Sequence, residues 1–477
     1  MKKITRWLCV VIAIVLVLPF AVSCSNKASP SNLTPSTTAT QDNQNQNDPD
    51  NIAPTPIKTD FNGYEFKVLS RLGGMWESFD ITASFDGTSV DREVYRRNAL
   101  LEERYNFIIS ERKETNFSNV AQTLGAAQEP EYDMWCFMMN AMVPLVQQGY
   151  LLNLNEVSGL NLDAPYYDQN TREQGSVADY LFFLTGDLLT MDDLSTTCCV
   201  FDMNAWKLSN LEQKYGSLYN LVDNDLWTFE KFKEIVVDAG HDTDGDGTYD
   251  FYGAFAQNAH IFNLNVAFGN NILIKDDVSD ELYLNRKEKN ITDIQNIISF
   301  MTSNDVLWGG EEDFLAGKTL FDLTTVCACI NINSKGIDYG ILPNPKRDSE
   351  QKEYHSFITT YGSNCITICS TVKDLDTVAN IIELASYESM KTVKPELSNY
   401  LLGGRIINRP EDSKTLEMVL ESKTYELCYL WNVASLYGTF QGLMASKSTD
   451  VASALTEANP RVKTAVEKIV QSFVLNS

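Results

Sequence analysis

Hydrophobic and polar positions beyond residue 60 follow two different periods along the chain. Residues 64–70 alternate and predict a strand, and residues 90–106 carry apolar side chains on one stripe opposite many charges, which predicts a helix. A second strand at 107–110, a polar helix and an apolar run of strand length at 132–138 follow, and the next helix ends at Gly149. This alternation is typical of an α/β domain with a largely parallel sheet, so we predict an α/β fold.

The first residues have the pattern of a secretory signal. Three cations in the first six residues precede an uncharged, mostly apolar run at 7–22, which is shorter than the roughly 20 residues that span a bilayer. The run ends in small residues directly before Cys24, which resembles a bacterial lipobox, in which the cysteine receives a diacylglycerol and becomes the new N-terminus. We predict a signal peptide over 1–23 and lipidation of Cys24. An ordinary signal peptide beside an unmodified cysteine is the alternative.

A polar segment separates this N-terminus from the first predicted strand. Residues 24–58 are rich in Ser, Thr, Asn, Gln, Asp and Pro and contain no aromatic residue. Such a segment buries too little apolar surface to offset the entropy of ordering, so we predict a disordered linker. As a flexible coil it spans on the order of 30 Å, enough to hold a domain away from a membrane surface. Since no later segment has the length and apolarity of a membrane span, we expect a lipid-anchored protein.

The charge balance disfavours one class of partner. The formal net charge is −26, and loss of the three signal-peptide cations makes the mature chain −29. Such an acidic surface disfavours nucleic acid and electrostatic docking on anionic lipid. The hydrophobic content of 44% and aromatic content of 11% are those of a globular protein, and the length is sufficient for two domains.

Eight cysteines follow Cys24, and none of them has C-x-x-C spacing, which weakens a zinc-ribbon interpretation. Cys327 and Cys329 would share one face of a strand, and Cys365 and Cys369 lie in a similar apolar run. A pairing or a metal site at these positions stays open. The main prediction is that the cysteines are small, buried core residues.

One acidic segment has the spacing of a calcium loop. Alternate carboxylates followed by a glycine let a loop wrap around one ion, and calcium takes six to eight oxygen ligands. The candidate ligands are Asp242, Asp244, Asp246, the Thr248 carbonyl and Asp250. The glutamate expected at the twelfth position is replaced by Gly253, so either the affinity is low or another acidic group completes the shell. A solvated Asp/Gly turn is the alternative to a structural calcium ion.

Catalytic motifs are scarce in this chain. It has three histidines and lacks H-E-x-x-H, G-x-S-x-G and P-loop motifs, so a zinc or nucleophilic mechanism would lack its usual residues. A glycoside hydrolase needs two carboxylates, but among 64 acidic residues some suitable pair always exists. We predict no catalytic residue and no catalytic cofactor. A secreted glycoside-acting enzyme and a surface lipoprotein scaffold are the alternative classes.

Aromatic and polar residues near predicted strand ends are the candidate ligand contacts. Sugar rings stack their C–H faces on aromatic planes, while Asp, Asn and Arg bind the hydroxyls. Trp76 follows the first strand, Asn140 follows the third, and Asp187 follows a later apolar run, positions at which open α/β sheets bind ligands. Further candidates are Trp308, Tyr361 and Trp431. Core packing is the alternative for each of these side chains.

Four stretches resemble the family-one extracellular solute-binding proteins, the carbohydrate-type binding lipoproteins of ABC importers. They are DREVYRRNALLEERYN at 91–106, the unit from Tyr132-Asp133 to Gly149-Tyr150-Leu151 with APYYD at 164–168, YGILPNPKRDSEQKEY at 339–354, and the helical segments at 381–427. Their order and spacing carry the resemblance. The family often has a tryptophan pair where this chain has Tyr166 and Tyr167, so no stacking role is carried over to these tyrosines.

The resemblance implies a type II periplasmic-binding-protein-like architecture, with two α/β lobes joined by a multi-segment hinge. It assigns 59–172 to lobe 1, with part of 321–372 returning to it, and 173–320 and 373–477 to lobe 2. It also implies a monomer that captures a carbohydrate, in particular an oligosaccharide, outside the cell membrane. The cargo would pass unchanged to the ABC permease subunits.

Overall fold

The computed structural model describes residues 52–73 and 80–476. The strands are β1 Tyr64–Arg71, β2 Phe107–Glu114, β3 Met134–Met138, β4 Thr197–Asp202, β5 Tyr252–Ala256, β6 Leu273–Lys275, β7 Leu282–Leu284, β8 Leu307–Trp308, β9 Thr319–Thr325, β10 Tyr339–Leu342, β11 Ser356–Phe357, β12 Asn364–Cys365 and β13 Lys423–Thr424. The helices before β9 are α1 Ser89–Tyr105, α2 Phe117–Ala127, α3 Met139–Gln147, α4 Gln169–Gly175, α5 Met191–Leu194, α6 Met203–Leu208, α7 Leu211–Tyr215, α8 Leu218–Asp223, α9 Phe229–Ala239, α10 His260–Ala267, α11 Glu288–Met301 and α12 Glu311–Leu315. Those after β9 are α13 Val326–Ser334, α14 Leu375–Lys391, α15 Val393–Tyr400, α16 Pro410–Glu421, α17 Leu427–Leu430, α18 Leu436–Ala445 and α19 Val451–Asn476.

The first sheet has the strand order β12-β3-β1-β2. Strand β1 pairs in parallel with β2 and β3, and β12 closes the edge antiparallel to β3. The predicted order of strand, helix and strand is confirmed in this sheet. Helix α1 begins at a capping box between Thr88 and Asp91 and ends at Asn106, whose left-handed backbone turns the chain directly into β2. Its apolar stripe packs with helix α14 over one face of the sheet.

The second sheet has the order β10-β4-β9-β5-β8 and is mixed. Strand β5 runs parallel to β8 and β9, whereas β4 is antiparallel to both β9 and β10. The two sheets together give the predicted α/β class. No helix in the two described ranges combines the length and the apolar character that a bilayer crossing requires.

The chain passes between the two sheets more than once. It leaves the first sheet after β3 and enters the second at β4, and it returns between β10 and β12. Helix α14 packs with the first sheet, whereas Leu397 of the next helix packs with Cys198 and Tyr339 of the second, so a third passage lies between α14 and α15. Several connections therefore join the two sheets, and one hydrophobic cluster contains residues of both.

The cysteines largely follow their main prediction. Seven of the eight are buried, and Cys327 is partly exposed. The expected strand around Cys327 and Cys329 is wrong, because this apolar segment forms helix α13, capped at its start by the Thr325 hydroxyl. A short apolar run without charges has the same composition in a buried helix as in a strand.

Candidate ligand-binding site

Two strands of the first sheet end side by side. Arg71 ends β1 and Met138 ends β3, and the Arg71 guanidinium lies 3.2 Å from the Met138 sulfur. Asn140 follows in the first turn of α3 and is partly exposed, but its Oδ1 is buried and has no hydrogen-bond partner among the described residues. A buried polar atom without a partner is unusual, which makes this edge a candidate position for a polar ligand.

Tyr361 lies at the same edge, because Asn364 of β12 pairs with Met138 and the Met139 amide donates to the Ser363 carbonyl. Its ring is 43% exposed. It packs edge-on against Tyr429, with 5.2 Å between ring centroids, and at 6.1 Å from Tyr437. We call these three residues the tyrosine cluster.

The tyrosine cluster connects the first sheet to the second. The ring of Tyr437 stacks on Phe262 of α10 at 5.0 Å and 23°, and α10 begins shortly after the carboxyl end of β5. Tyr429 is 7% exposed, and its hydroxyl lies 3.3 Å from the Thr359 hydroxyl. The buried Tyr429 and the partly buried Tyr437 therefore support the exposed ring of Tyr361, which keeps one aromatic surface open to solvent.

Trp308 is the exposed aromatic residue of the second sheet's edge. It ends β8 beside Ala256, the last residue of the parallel strand β5, and it is 45% exposed. Its exposure is unusual for so large an apolar side chain next to a sheet. Trp308 and Tyr361 thus give each sheet an open aromatic face at a strand end, which is the geometry for stacking on an apolar ring face.

A buried ion cluster lies on the segments that connect the sheets. Its members are Asp168, Asp187, Asp192, Asp193, Lys394 and Lys423. The Lys423 ammonium lies 2.7 Å from Asp192, 2.9 Å from Asp193 and 3.4 Å from Asp168. Burial opposes the charge on Lys423, but the aspartates outweigh it and hold its pKa well above the ordinary value.

Asp187 belongs to this ion cluster. Its carboxylate lies 3.9 Å from the Lys394 ammonium. Burial raises the pKa of Asp187 to about 7, against the opposing attraction of Lys394. Burial therefore favours the neutral form of this carboxyl group more than in an exposed aspartate.

We compared the chain with known protein families, curated proteins and solved structures to identify its fold. No protein-family model matches the sequence, and no curated protein matches it. The cyclic α-maltosyl-1,6-maltose binding protein of Arthrobacter globiformis is 11% identical, with a TM-score of 0.58 over 85% of this chain and 99% of that one. The ABC substrate-binding protein of Listeria monocytogenes in complex with cycloalternan is 10% identical, with a TM-score of 0.55 over 84% and 99%. A family 1 extracellular solute-binding protein of Bifidobacterium longum subsp. infantis is 10% identical, with a TM-score of 0.53 over 84% and 99%. The chain has the fold of the ABC solute-binding proteins.

Within this solute-binding fold, some predicted contacts lie away from solvent. Trp431 is 1% exposed and packs against Phe183 and Phe473, with centroids 5.4 and 6.1 Å away. Tyr166 and Tyr167 are also buried, and both hydroxyls donate to the Glu383 carboxylate. Hydrogen bonding to a buried carboxylate fixes these two rings in the core. Trp76 lies outside the described residues.

Sequence reasoning missed Tyr429, Tyr437 and the two lysines of the ion cluster. Tyr429 stands two residues before Trp431 in a short apolar segment, and the sequence alone does not show which of the two buried rings packs against an exposed aromatic residue. Lys423 is one of 38 basic residues, and its partner Asp192 is 231 positions away in the chain. Neither lysine lies in a motif that distinguishes it from the other basic residues of the chain.

Three carboxylates lie close together in the acidic loop at residues 242–250. Oxygens of Asp242, Asp244 and Asp250 lie within 4.8 Å of one another. Asp242 accepts from the amides of Gly245 and Gly247 at 2.6 and 2.8 Å, and these hydrogen bonds lower its pKa. Both glycines have positive φ, of 78° and 90°, which lets the backbone turn tightly around the carboxylates.

The other two predicted ligands lie outside this group of three. Asp246 accepts from the Thr248 amide at 2.7 Å, so its carboxylate caps the turn. Three converging carboxylates are chemically suited to calcium, although calcium needs further oxygens to reach its usual coordination number.

Proposed function

We propose that this protein binds a carbohydrate, in particular an oligosaccharide, outside the cell membrane and delivers it unchanged to an ABC permease. The observation that carries the proposal is the pair of exposed aromatic residues at strand ends, Tyr361 on the first sheet and Trp308 on the second, in a solute-binding fold. Neighbouring structures named for cyclic maltose-type and cycloalternan ligands support the choice of sugar. Asn140, Arg71 and the predicted Trp76 would complete the contacts.

The lobe assignment belongs to this proposal. We assign 59–172 and the returning segment around β12 to lobe 1, and the second sheet to lobe 2. The packing of α14 on α1 supports moving residues 375–391 from lobe 2 to lobe 1. In this assignment Asp187 lies near the hinge and Trp431 lies in the core. Trp308 and Tyr361 lie on the side that contacts the ligand.

A ligand screen tests the function. Glycans added to the purified protein should raise its melting temperature, and isothermal titration should give a Kd of about 1 μM or tighter, about 8 kcal/mol. Closure on the ligand should also shift tryptophan emission and reduce the radius of gyration in X-ray scattering. Turnover of a glycoside, or no binder in a broad panel of sugars and other solutes, would reject the proposal in favour of an enzyme or a scaffold.

Lipid anchoring is a separate part of the proposal, and Cys24 and the linker lie outside the described residues. Labelled palmitate should enter the full-length protein through Cys24, because the lipobox resemblance makes this cysteine the acylated N-terminus. Cys24→Ala should abolish the label and either release the protein to the medium or stall its processing. Cys428→Ala, a change at a buried core cysteine, is the control and should keep the label. Equal labelling of Cys24→Ala would contradict the anchor.

A structural calcium ion is the remaining proposal, with Asp242, Asp244, Asp246, the Thr248 carbonyl and Asp250 as ligands. A chelator should lower the melting temperature and calcium should restore it, since calcium at 100 times its Kd stabilises the folded state by about 2.7 kcal/mol. Asp244→Ala should remove this response, whereas Asp277→Ala, at an exposed position outside the loop, should preserve it. If neither calcium nor the chelator changed the melting temperature, the loop would be a solvated Asp/Gly turn without a bound calcium ion.

A further inference from the structure

Two thiols from distant parts of the chain meet inside the second sheet's core. The sulfur of Cys198 in β4 lies 3.9 Å from that of Cys329 in α13, and both residues are fully buried. They are separated by 131 positions in the sequence. A sulfur–sulfur contact therefore joins these two of the eight cysteines that the structure describes.

Local structure fixes both side chains toward each other. Strand alternation points Cys198 and Val200 to the core that contains α13, while Cys199 points to the opposite core with Phe201. Helix α13 begins immediately after β9, and its first turn places the Cys329 sulfur 3.6 Å from the Thr325 carbonyl. Because a strand and a capped helix hold the two sulfurs, their proximity is a property of the fold.

We propose that Cys198 and Cys329 form a disulfide bond in the mature protein. The inference rests on the extracytoplasmic location in the proposed function, since disulfides persist in oxidising compartments. A disulfide has an S–S distance of about 2.05 Å, so the sulfurs must approach each other by about 2 Å as the bond forms. The other six cysteines would remain thiols.

The chemistry is thiol–disulfide exchange with a second disulfide as the oxidant. One cysteine thiolate attacks the oxidant disulfide and releases its first thiol, and the other cysteine then attacks the mixed disulfide and releases the second. The two cysteines lose two protons and two electrons, and the oxidant disulfide is reduced to two thiols. A disulfide-bonded oxidoreductase of the extracytoplasmic compartment, or oxidised glutathione in vitro, supplies this oxidant.

Burial determines when the exchange happens. Contact with Cys198 and desolvation raise the pKa of Cys329 well above its ordinary value, so the folded protein holds it as a thiol that exchanges slowly. The bond should therefore form while the chain folds, before β4 and α13 close over the sulfurs. Once formed, it should resist reductants that act on exposed disulfides.

The test uses the full chain, purified in detergent, fully reduced and unfolded. It is refolded with oxidised and reduced glutathione, alkylated and digested, and the peptides are mapped by mass spectrometry. We expect one cross-linked peptide that joins Cys198 to Cys329, two fewer alkylated cysteines than in a reduced control, and a melting temperature that is higher by a few degrees. Cys199→Ala should keep all three results, because Cys199 faces the other core.

Cys198→Ala and Cys329→Ala should each lose the cross-link. If either variant fails to fold, the peptide mapping of the unsubstituted protein still tests the proposal. Full alkylation after oxidative refolding, or a cross-link between other cysteines, would overturn the proposal. Oligosaccharide binding is measured on part of the same refolded protein, taken before alkylation and digestion. Binding without the cross-link would reject the disulfide alone, and a cross-link without binding would reject the proposed function alone.

Discussion

Replacement of Tyr361 by alanine is expected to weaken oligosaccharide binding by roughly 10- to 100-fold, about 1.4 to 2.7 kcal/mol. The exposed ring is held in place by Tyr429 and Tyr437, so it is preorganised and loses little entropy when a sugar stacks on it. Alanine removes that contact surface. Because the ring is 43% exposed, its loss should change the melting temperature of the free protein little.

Two matched variants separate stacking from other effects. Tyr361→Phe keeps the ring and should keep most of the affinity, which isothermal titration can measure. Tyr283→Ala removes a tyrosine of similar exposure, 45%, from strand β7 and should leave Kd unchanged. An unchanged Kd in Tyr361→Ala would show that the ligand lies elsewhere, and a collapse of the fold would show that the tyrosine cluster is part of the core.

Lys423→Met is expected to lower the free energy of unfolding by about 3–5 kcal/mol. The lysine side chain is 12% exposed and neutralises Asp192 and Asp193, each 2% exposed, together with Asp168. Methionine preserves most of the side-chain volume but removes the cation from Asp192 and Asp168, while Asp193 keeps Lys394. A buried charge that loses its partner costs far more than an exposed one. Chemical denaturation in urea gives the value directly.

The control is another lysine–aspartate pair of the same chain. Lys414 lies 2.7 Å from Asp223, but the two side chains are 62% and 40% exposed. Lys414→Met should therefore change the free energy of unfolding by about 0–1 kcal/mol, because water and salt screen exposed pairs. Equal effects of the two substitutions would mean that the ion cluster is hydrated and does not stabilise the connections between the sheets.

Short-range patterns were sufficient for the elements of the first sheet. Strand β1, helix α1 and strands β2 and β3 lie where the period of apolar residues changes, and the αL residue Asn106 ends the helix at the predicted position. The prediction of ligand contacts was less successful where residues close in sequence have different packing partners in the fold. Tyr429 and Trp431 are both buried in one apolar segment, but Tyr429 packs against the exposed Tyr361 whereas Trp431 packs against Phe183 and Phe473.

Long-range pairing explains what the sequence could not predict. Glu383 fixes Tyr166 and Tyr167 from over two hundred positions away, and Lys423 meets Asp192 at a similar separation. The folded backbone determines which of the many charged side chains lie close together, and the sequence does not show this. The candidate site was likewise predictable as a set of strand ends, while the tyrosine cluster that supports Tyr361 required the tertiary packing.

The late position of β12 has a consequence for biosynthesis. Because β12 supplies the edge of the first sheet beside β3, that sheet is complete only after the ribosome has translated as far as Cys365. Until then β3 presents unpaired backbone groups that invite pairing with other chains. A nascent chain in this condition cannot complete its first sheet early, so the edge of β3 stays open to incorrect pairing until β12 has been made.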